Sequence, residues 1–160
     1  MSSRSDEILK VARNLVSHNK PSKEEIARSI SATYYAIFHF LRSEVSNVIT
    51  REGGFNENDV KTLVCSASSH TNLFTRLSEI GRFRPNNIDK ITQFSILFCE
   101  LYLQRIEADY LWAPSFDENY ATELIERTEI EIRNLSSLPN SAKASFFLWL
   151  FLIPSSYKAT

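Results

Sequence analysis

The stretch SKEEIARSISATYYAIFHFLRSEVSNVIT, Ser22 to Thr50, decides the fold. It opens on Ser22 with Glu25 three residues later. In that pattern the serine hydroxyl accepts from the N3 amide while the glutamate reaches back to the N-cap amide, so a helix starts here. Ile26, Ile30, Tyr34, Ile37, Leu41, Val45 and Val48 then recur at steps of three and four. At 100° per residue they fall in a stripe about 100° wide. The spacing predicts one long amphipathic helix ending near Thr50, before Arg51–Glu52–Gly53–Gly54.

Helical periodicity continues on both sides. Ile8, Leu9, Ala12, Leu15 and Val16 give a helix from about Asp6 to Ser17, broken at His18–Asn19–Lys20–Pro21. Val60 to about Ser66 and Thr71 to Ile80 read as shorter helices, with Gly81 as a C′ residue. The segment Arg82–Phe83–Arg84–Pro85–Asn86 reads as a loop. A second long helix spans about Ile88 to Trp112, with Ile91, Phe94, Leu97, Phe98, Leu101 and Tyr102 on a broad apolar face and Pro114 stopping it. Ser115 and Glu118 repeat the capping box ahead of a helix to about Leu135, and a last helix runs from Ala142 to Ile153. The expected fold is all-α: one up-and-down helical bundle over residues 1–160, built on two long central helices.

Composition narrows the function classes. The chain has 160 residues, enough for a single core. With 18 Lys and Arg against 19 Asp and Glu, its surface is not uniformly basic, which leaves room only for a local basic cleft. Three glycines supply too little turn chemistry for a hairpin-rich fold. Cys65 and Cys99 stand far apart without CxxC spacing or clustered histidines, so two buried reduced thiols are expected, with no metal site and no cofactor. Met1 to Lys10 is polar, unlike a signal peptide. The apolar run Phe146 to Ile153 falls short of the roughly 20 residues that span a membrane, so the expectation is a soluble cytoplasmic protein. Nucleotide-loop, zincin and hydrolase motifs are absent from the sequence.

Opposite the apolar stripe of the central helix, Arg28, Tyr35 and His39 are spaced by seven and four residues and align within about 40°, with Arg42 and Ser46 close by. A guanidinium forks onto phosphate, a phenol stacks a base and an imidazole moves a proton near neutral pH. The same residues would equally serve as a carboxylate partner and as inter-helix packing. Further along, Arg105 and Asp109 sit four apart before Tyr110, so Asp109 can pair with Arg105 or reach across to Arg28. His70, in SASSH, stands near a helix break.

The segment RSISATYYAIFHFL, Arg28 to Leu41, resembles the signature helix of the HEPN superfamily, where an Arg is followed by Tyr-Tyr-Ala and Phe-His. SASSH, LQRIEADY (Leu103–Tyr110) and AKASFFLWLFL (Ala142–Leu152) look like further segments of one branch of helical HEPN-like proteins, in the same order. The resemblance implies a bundle that forms homodimers and associates with RNA or a cognate partner protein, as in toxin–antitoxin and defence systems. It also implies a metal-independent ribonuclease or a non-catalytic partner. The RNase members carry Arg-x(4–6)-His on a late helix; here no His follows Arg105 at that spacing, with Ile106 and Tyr110 standing there. Ser66 stands where the related branch has an Arg before His70, and the one literal match, Arg13 to His18, lies on the first helix. A retained activity would rest on His39 as proton carrier with Arg28 or Arg105 steadying phosphate, and binding on Tyr35, Arg42, Arg105, Asp109, Tyr110 and His70. The bulky terminal helix, with Phe146, Phe147, Trp149, Leu150 and Phe151, suits either the protomer's own core or a dimer seam.

Overall fold

The computed structural model describes residues 2–82, 88–111 and 115–152. Among them the chain forms seven α-helices and one 3₁₀ turn, with no strand, as the periodicity predicts. In order these are α1 (Arg4–Val16), α2 (Lys23–Gly53), α3 (Glu57–Ala67), α4 (His70–Ser78), the 3₁₀ turn (Ile80–Arg82), α5 (Ile88–Tyr110), α6 (Glu118–Ser136) and α7 (Asn140–Leu152). The expected residues Phe83 to Asn86 and Trp112 to Pro114 lie outside the described residues.

α2 is the axis of the bundle. Its 31 residues span about 46 Å at 1.5 Å per residue, and it touches α1, α3, α5, α6 and α7. Ile30, Tyr34, Ile37, Leu41 and Val45 are fully buried along the predicted stripe. A second face is buried as well, and it is made of small residues. Ser29, Thr33 and Ala36 are sealed. The Ser29 hydroxyl donates to the Ala12 carbonyl at 2.8 Å, and the Thr33 hydroxyl donates to the Ser29 carbonyl at 2.8 Å. Short side chains let α1 approach closely, and each buried hydroxyl finds an acceptor.

The helix ends are set by local chemistry. The Ser22–Glu25 capping box forms as read from the sequence, and Ser3 with Asp6 forms another at α1. α2 runs three residues past Thr50 and stops at Gly54, whose φ of 62° suits a residue without Cβ. Gly81, expected at C′, lies instead inside the 3₁₀ turn, and Glu79 caps α4. Ser115 does not cap α6. The Asp117 carboxylate accepts from the Tyr120 amide at 2.7 Å, which makes Glu118 the first helical residue rather than the third. An ionised carboxylate two residues nearer the helix is the better acceptor for orphan amides.

α7 belongs to the protomer's own core. Phe146, Phe147 and Leu150 are buried against the main cluster, and α7 packs on α2 and α4. Its inner face therefore serves the core, while among its described side chains Leu148 is exposed and Trp149 and Phe151 are half-buried. Of the two thiols expected to be buried, Cys99 is half-buried, and burial pushes it up to about 11, whereas Cys65 is exposed on α3. α3 is a short helix that buries only Val60 and Val64, so its thiol has no interior to enter.

α7 is tied to α2 by a buried ion pair. Lys143 Nζ donates to Glu44 Oε1 at 2.7 Å and to the Ser136 carbonyl at 3.3 Å, with the lysine side chain 7% exposed. Removing one partner strands the other charge. Glu44→Ala should therefore cost about 2–3 kcal/mol in urea unfolding, and Glu44→Leu with Lys143→Met should recover most of that loss.

Candidate functional site

One edge of α2 is neither small nor purely apolar. Tyr34, Tyr35, Phe38, His39 and Arg42 lie along it, facing α4 and α5. Tyr34 is fully buried, and a buried phenol needs a partner for its hydroxyl. It finds one in His70, the first residue of α4, with Tyr34 Oη 2.6 Å from His70 Nδ1. Ser69 caps α4 by accepting from the Asn72 amide and so fixes where His70 enters. The imidazole stacks on Phe38 with centroids 4.2 Å apart and meets Tyr35 edge-on at 5.8 Å.

Arg105, near the end of α5, completes the cluster. Its guanidinium carbon lies 5.2 Å from the Tyr34 ring centroid, 5.9 Å from that of Tyr35 and 5.7 Å from that of Tyr102. Nη1 donates to the Tyr35 hydroxyl at 3.3 Å. Asp109 stands 3.7 Å away and also accepts from the Ser31 hydroxyl. The arginine side chain is only 11% exposed, and its Nε is sealed without a hydrogen-bond partner. Among the described residues Nη2 makes no hydrogen bond, which leaves it a donor.

Electrostatics follow from this packing. Burial raises the Tyr34 hydroxyl well above its usual range, against the opposing pull of Arg105. The phenol therefore stays protonated; it is sealed with no other acceptor among the described residues, so pairing its O–H requires that it donate to Nδ1, which puts the His70 proton on Nε2. That nitrogen makes no hydrogen bond among the described residues and is not sealed. Burial, then Arg105 and Arg42, lower the pKa of His70. His39 packs edge-on against Phe38 and is lowered by burial, then by Arg4, Arg42 and His70. Arg42 lies 5.4 Å from the Phe38 centroid and donates to the Cys65 sulfur, with no carboxylate partner among the described residues. The result is a part-buried cluster of two guanidiniums and two imidazoles set among aromatic rings.

The structure brings together Tyr35, Arg42, Arg105, Asp109 and His70, with His39 on the flank. It does not bring in Arg28. That residue lies two turns before Tyr35 and donates to Glu24 at 2.7 Å with its side chain 69% exposed. Asp109 pairs with Arg105 rather than with Arg28. Tyr110 is 73% exposed at the end of α5. The Arg13-to-His18 match is split between two separate contacts, an ion pair of Arg13 with Glu129 at 2.8 Å and a hydrogen bond between His18 and Glu25 at 3.1 Å. Arg13 instead lines a groove of about 390 Å³ between α1 and α6, where Lys10 and Arg133 mix with Asp6 and Glu129 and none of the cluster residues appears. Sequence reasoning undervalued His70 and overlooked Tyr34 as a polar group. The signal was available, because a tyrosine on a core stripe must pair its hydroxyl.

Among the described residues no three His, Cys, Asp or Glu side chains gather as a metal site, and no helix is long and apolar enough to cross a membrane. Comparison with known proteins gives no match to a family, to a curated protein or to a solved structure.

Both cluster histidines have pKa values lowered in the fold. The unfolded chain therefore binds more protons than the native one as pH falls below the ordinary value of 6.5, and stability should drop there. Glu25 and Glu57, held below the carboxylate value of 4.5, add their losses only at lower pH. Urea melts between pH 7.5 and 5 should show a decline that His70→Asn flattens. An unchanged slope in that variant would contradict the packing described.

Proposed function

We propose that this chain is a HEPN-like helical domain that associates with RNA, holding a phosphate group at the edge formed by Arg42, His70 and Arg105. The observation that carries the reading is Arg105. A nearly buried guanidinium, ringed by three phenols, keeps an unpartnered Nη2 beside the free Nε2–H of a histidine. Such donors, held rigidly in a partly dry pocket, suit a phosphate oxygen better than water does. Tyr35 is half-buried and offers its ring edge, and Tyr110 offers an exposed face for a base. The order of the resembling segments, from the Tyr-Tyr-Ala helix to the terminal apolar helix, supports the same reading.

Cleavage is a narrower proposal within this one. With Arg28 at the solvent-facing Glu24, the proton carrier and phosphate clamp would be His70 or His39 with Arg105. A neutral imidazole beside two guanidiniums suits proton transfer to or from a ribose hydroxyl.

The test is fluorescence anisotropy with a short single-stranded RNA, without divalent ions, over a salt series. Arg42→Ala should weaken binding about tenfold and reduce the magnitude of the salt slope by about one. His70→Asn keeps an acceptor for Tyr34 but removes the outward Nε2 donor, and it should weaken binding as well. Salt-independent affinity, or wild-type affinity in both variants, would overturn the reading.

A second reading, a dimeric interaction subunit, rests on the exposed side of α5, which shares Tyr110 with the first. Ile96, Leu103 and Tyr110 recur every seven residues along α5, and each is at least half exposed. A heptad stripe left open on a helix suits a second helix. Sedimentation should then give twice the chain mass, and Leu103→Glu should give the monomer; a monomeric wild type removes this reading.

A further inference from the structure

Other cations of this fold, one buried and one part-exposed, are more closely matched. Lys143 meets Glu44 at 2.7 Å, and Arg127 makes paired bonds of 3.1 and 2.7 Å to Glu100. Arg105 is the contrast. Its carboxylate stands at 3.7 Å and is shared with Ser31, its Nε is sealed without a partner, and its side chain is 89% buried by the complement of its 11% exposure. The Tyr35 hydroxyl, Asp109 and three ring faces hold the guanidinium in its charged form, yet the sealed Nε has no acceptor and the set of hydrogen bonds is incomplete without an anion.

The rest of the cluster adds to the same imbalance. Arg42 leans on Phe38 and a neutral thiol. The Tyr34 and Phe38 centroids are 6.1 Å apart. His70 lies 5.5 Å from the first ring and 4.2 Å from the second. Arg105 and Arg42 thus flank His70 along one row of aromatic rings, with Asp109 3.7 Å from Arg105 as the carboxylate of that row. An internal phosphodiester brings one negative charge per nucleotide and spreads successive charges along the strand. A terminal phosphomonoester concentrates about 1.5 to 2 charges and three acceptor oxygens on one phosphorus near pH 7.

Resting on the proposed RNA association, we infer that this pocket takes the phosphomonoester at the end of an RNA strand, gripped by the Nη2 edge of Arg105, Arg42 and His70 Nε2, in preference to an internal phosphodiester. Tyr34 is a positioning residue. It holds Nδ1 of His70 so that the proton-bearing nitrogen faces the phosphate. Asp109 limits entry from the Ser31 side and keeps Arg105 in place.

The experiment compares one RNA decamer in three forms: 5′-phosphorylated, 3′-phosphorylated and hydroxyl-ended. AMP and inorganic phosphate serve as competitors. One phosphorylated form should bind at least tenfold tighter than the hydroxyl-ended strand, and Arg42→Ala or His70→Asn should erase that advantage. Arg13→Ala, in the α1–α6 groove, should leave it intact. Equal, salt-dependent binding of all three strands would overturn the terminal-phosphate inference while leaving RNA association standing. Binding of none would remove both. AMP competing as well as the phosphorylated strand would assign the pocket to a mononucleotide and overturn the strand-end inference.

Discussion

A tyrosine cannot be sealed inside a helical bundle unless its hydroxyl is paired, and Tyr34 meets that requirement with His70. Much of the candidate site follows from this one bond. It brings the start of α4 onto α2, stacks the imidazole on Phe38 and leaves the other ring nitrogen outward. Tyr35 and Tyr102 then wall the space in which Arg105 sits, and Asp109 with Ser31 closes its far side. The cluster is polar because a core helix carries a phenol, and it is positive because Arg105 packs its guanidinium among the rings around that phenol.

The bundle can hold such a cluster because α2 divides its circumference. Its aliphatic stripe meets the apolar faces of the neighbouring helices, and its small-residue face lies close against α1. Those two faces make the rigid part. The remaining edge, toward α4 and α5, carries rings and charges that a tightly packed interior would exclude. α7 reinforces the aliphatic side with Phe146 and Phe147 and takes no part in the cluster. Rigidity therefore comes from one side of α2 and chemistry from the other.

The fold was legible because its signals are local. Ser22 with Glu25, and the three-and-four spacing from Ile26 to Val48, need only one helix to be understood. Helix ends were less legible where two cap residues compete, as Ser115 and Asp117 do, since the outcome depends on which carboxylate or hydroxyl reaches the first free amides. The candidate site was half legible. Arg105 and Asp109 carry their relation in helical spacing, whereas Tyr35 meets Arg105 across 70 residues, and Arg28 shares the face of Tyr35 and still belongs to Glu24, its nearer partner on the same helix. His70 could not be placed by periodicity, because its partner is 36 residues away in sequence and the contact is tertiary. Cys65 was misjudged for a related reason: burial of a small apolar side chain depends on how much of its own helix is covered, and α3 is covered by little.

The central claim is that the cluster beside Tyr34, and not the mixed-charge groove between α1 and α6, receives a phosphate. Side-chain nitrogen NMR with a short RNA added stepwise tests this most directly. The account predicts that the guanidinium resonances of Arg105 and Arg42 and the imidazole resonances of His70 shift together with the added strand, while Arg13 and Arg133 stay still. Shifts confined to Arg13 and Arg133, or no shift at Arg105 while RNA is bound, would contradict it.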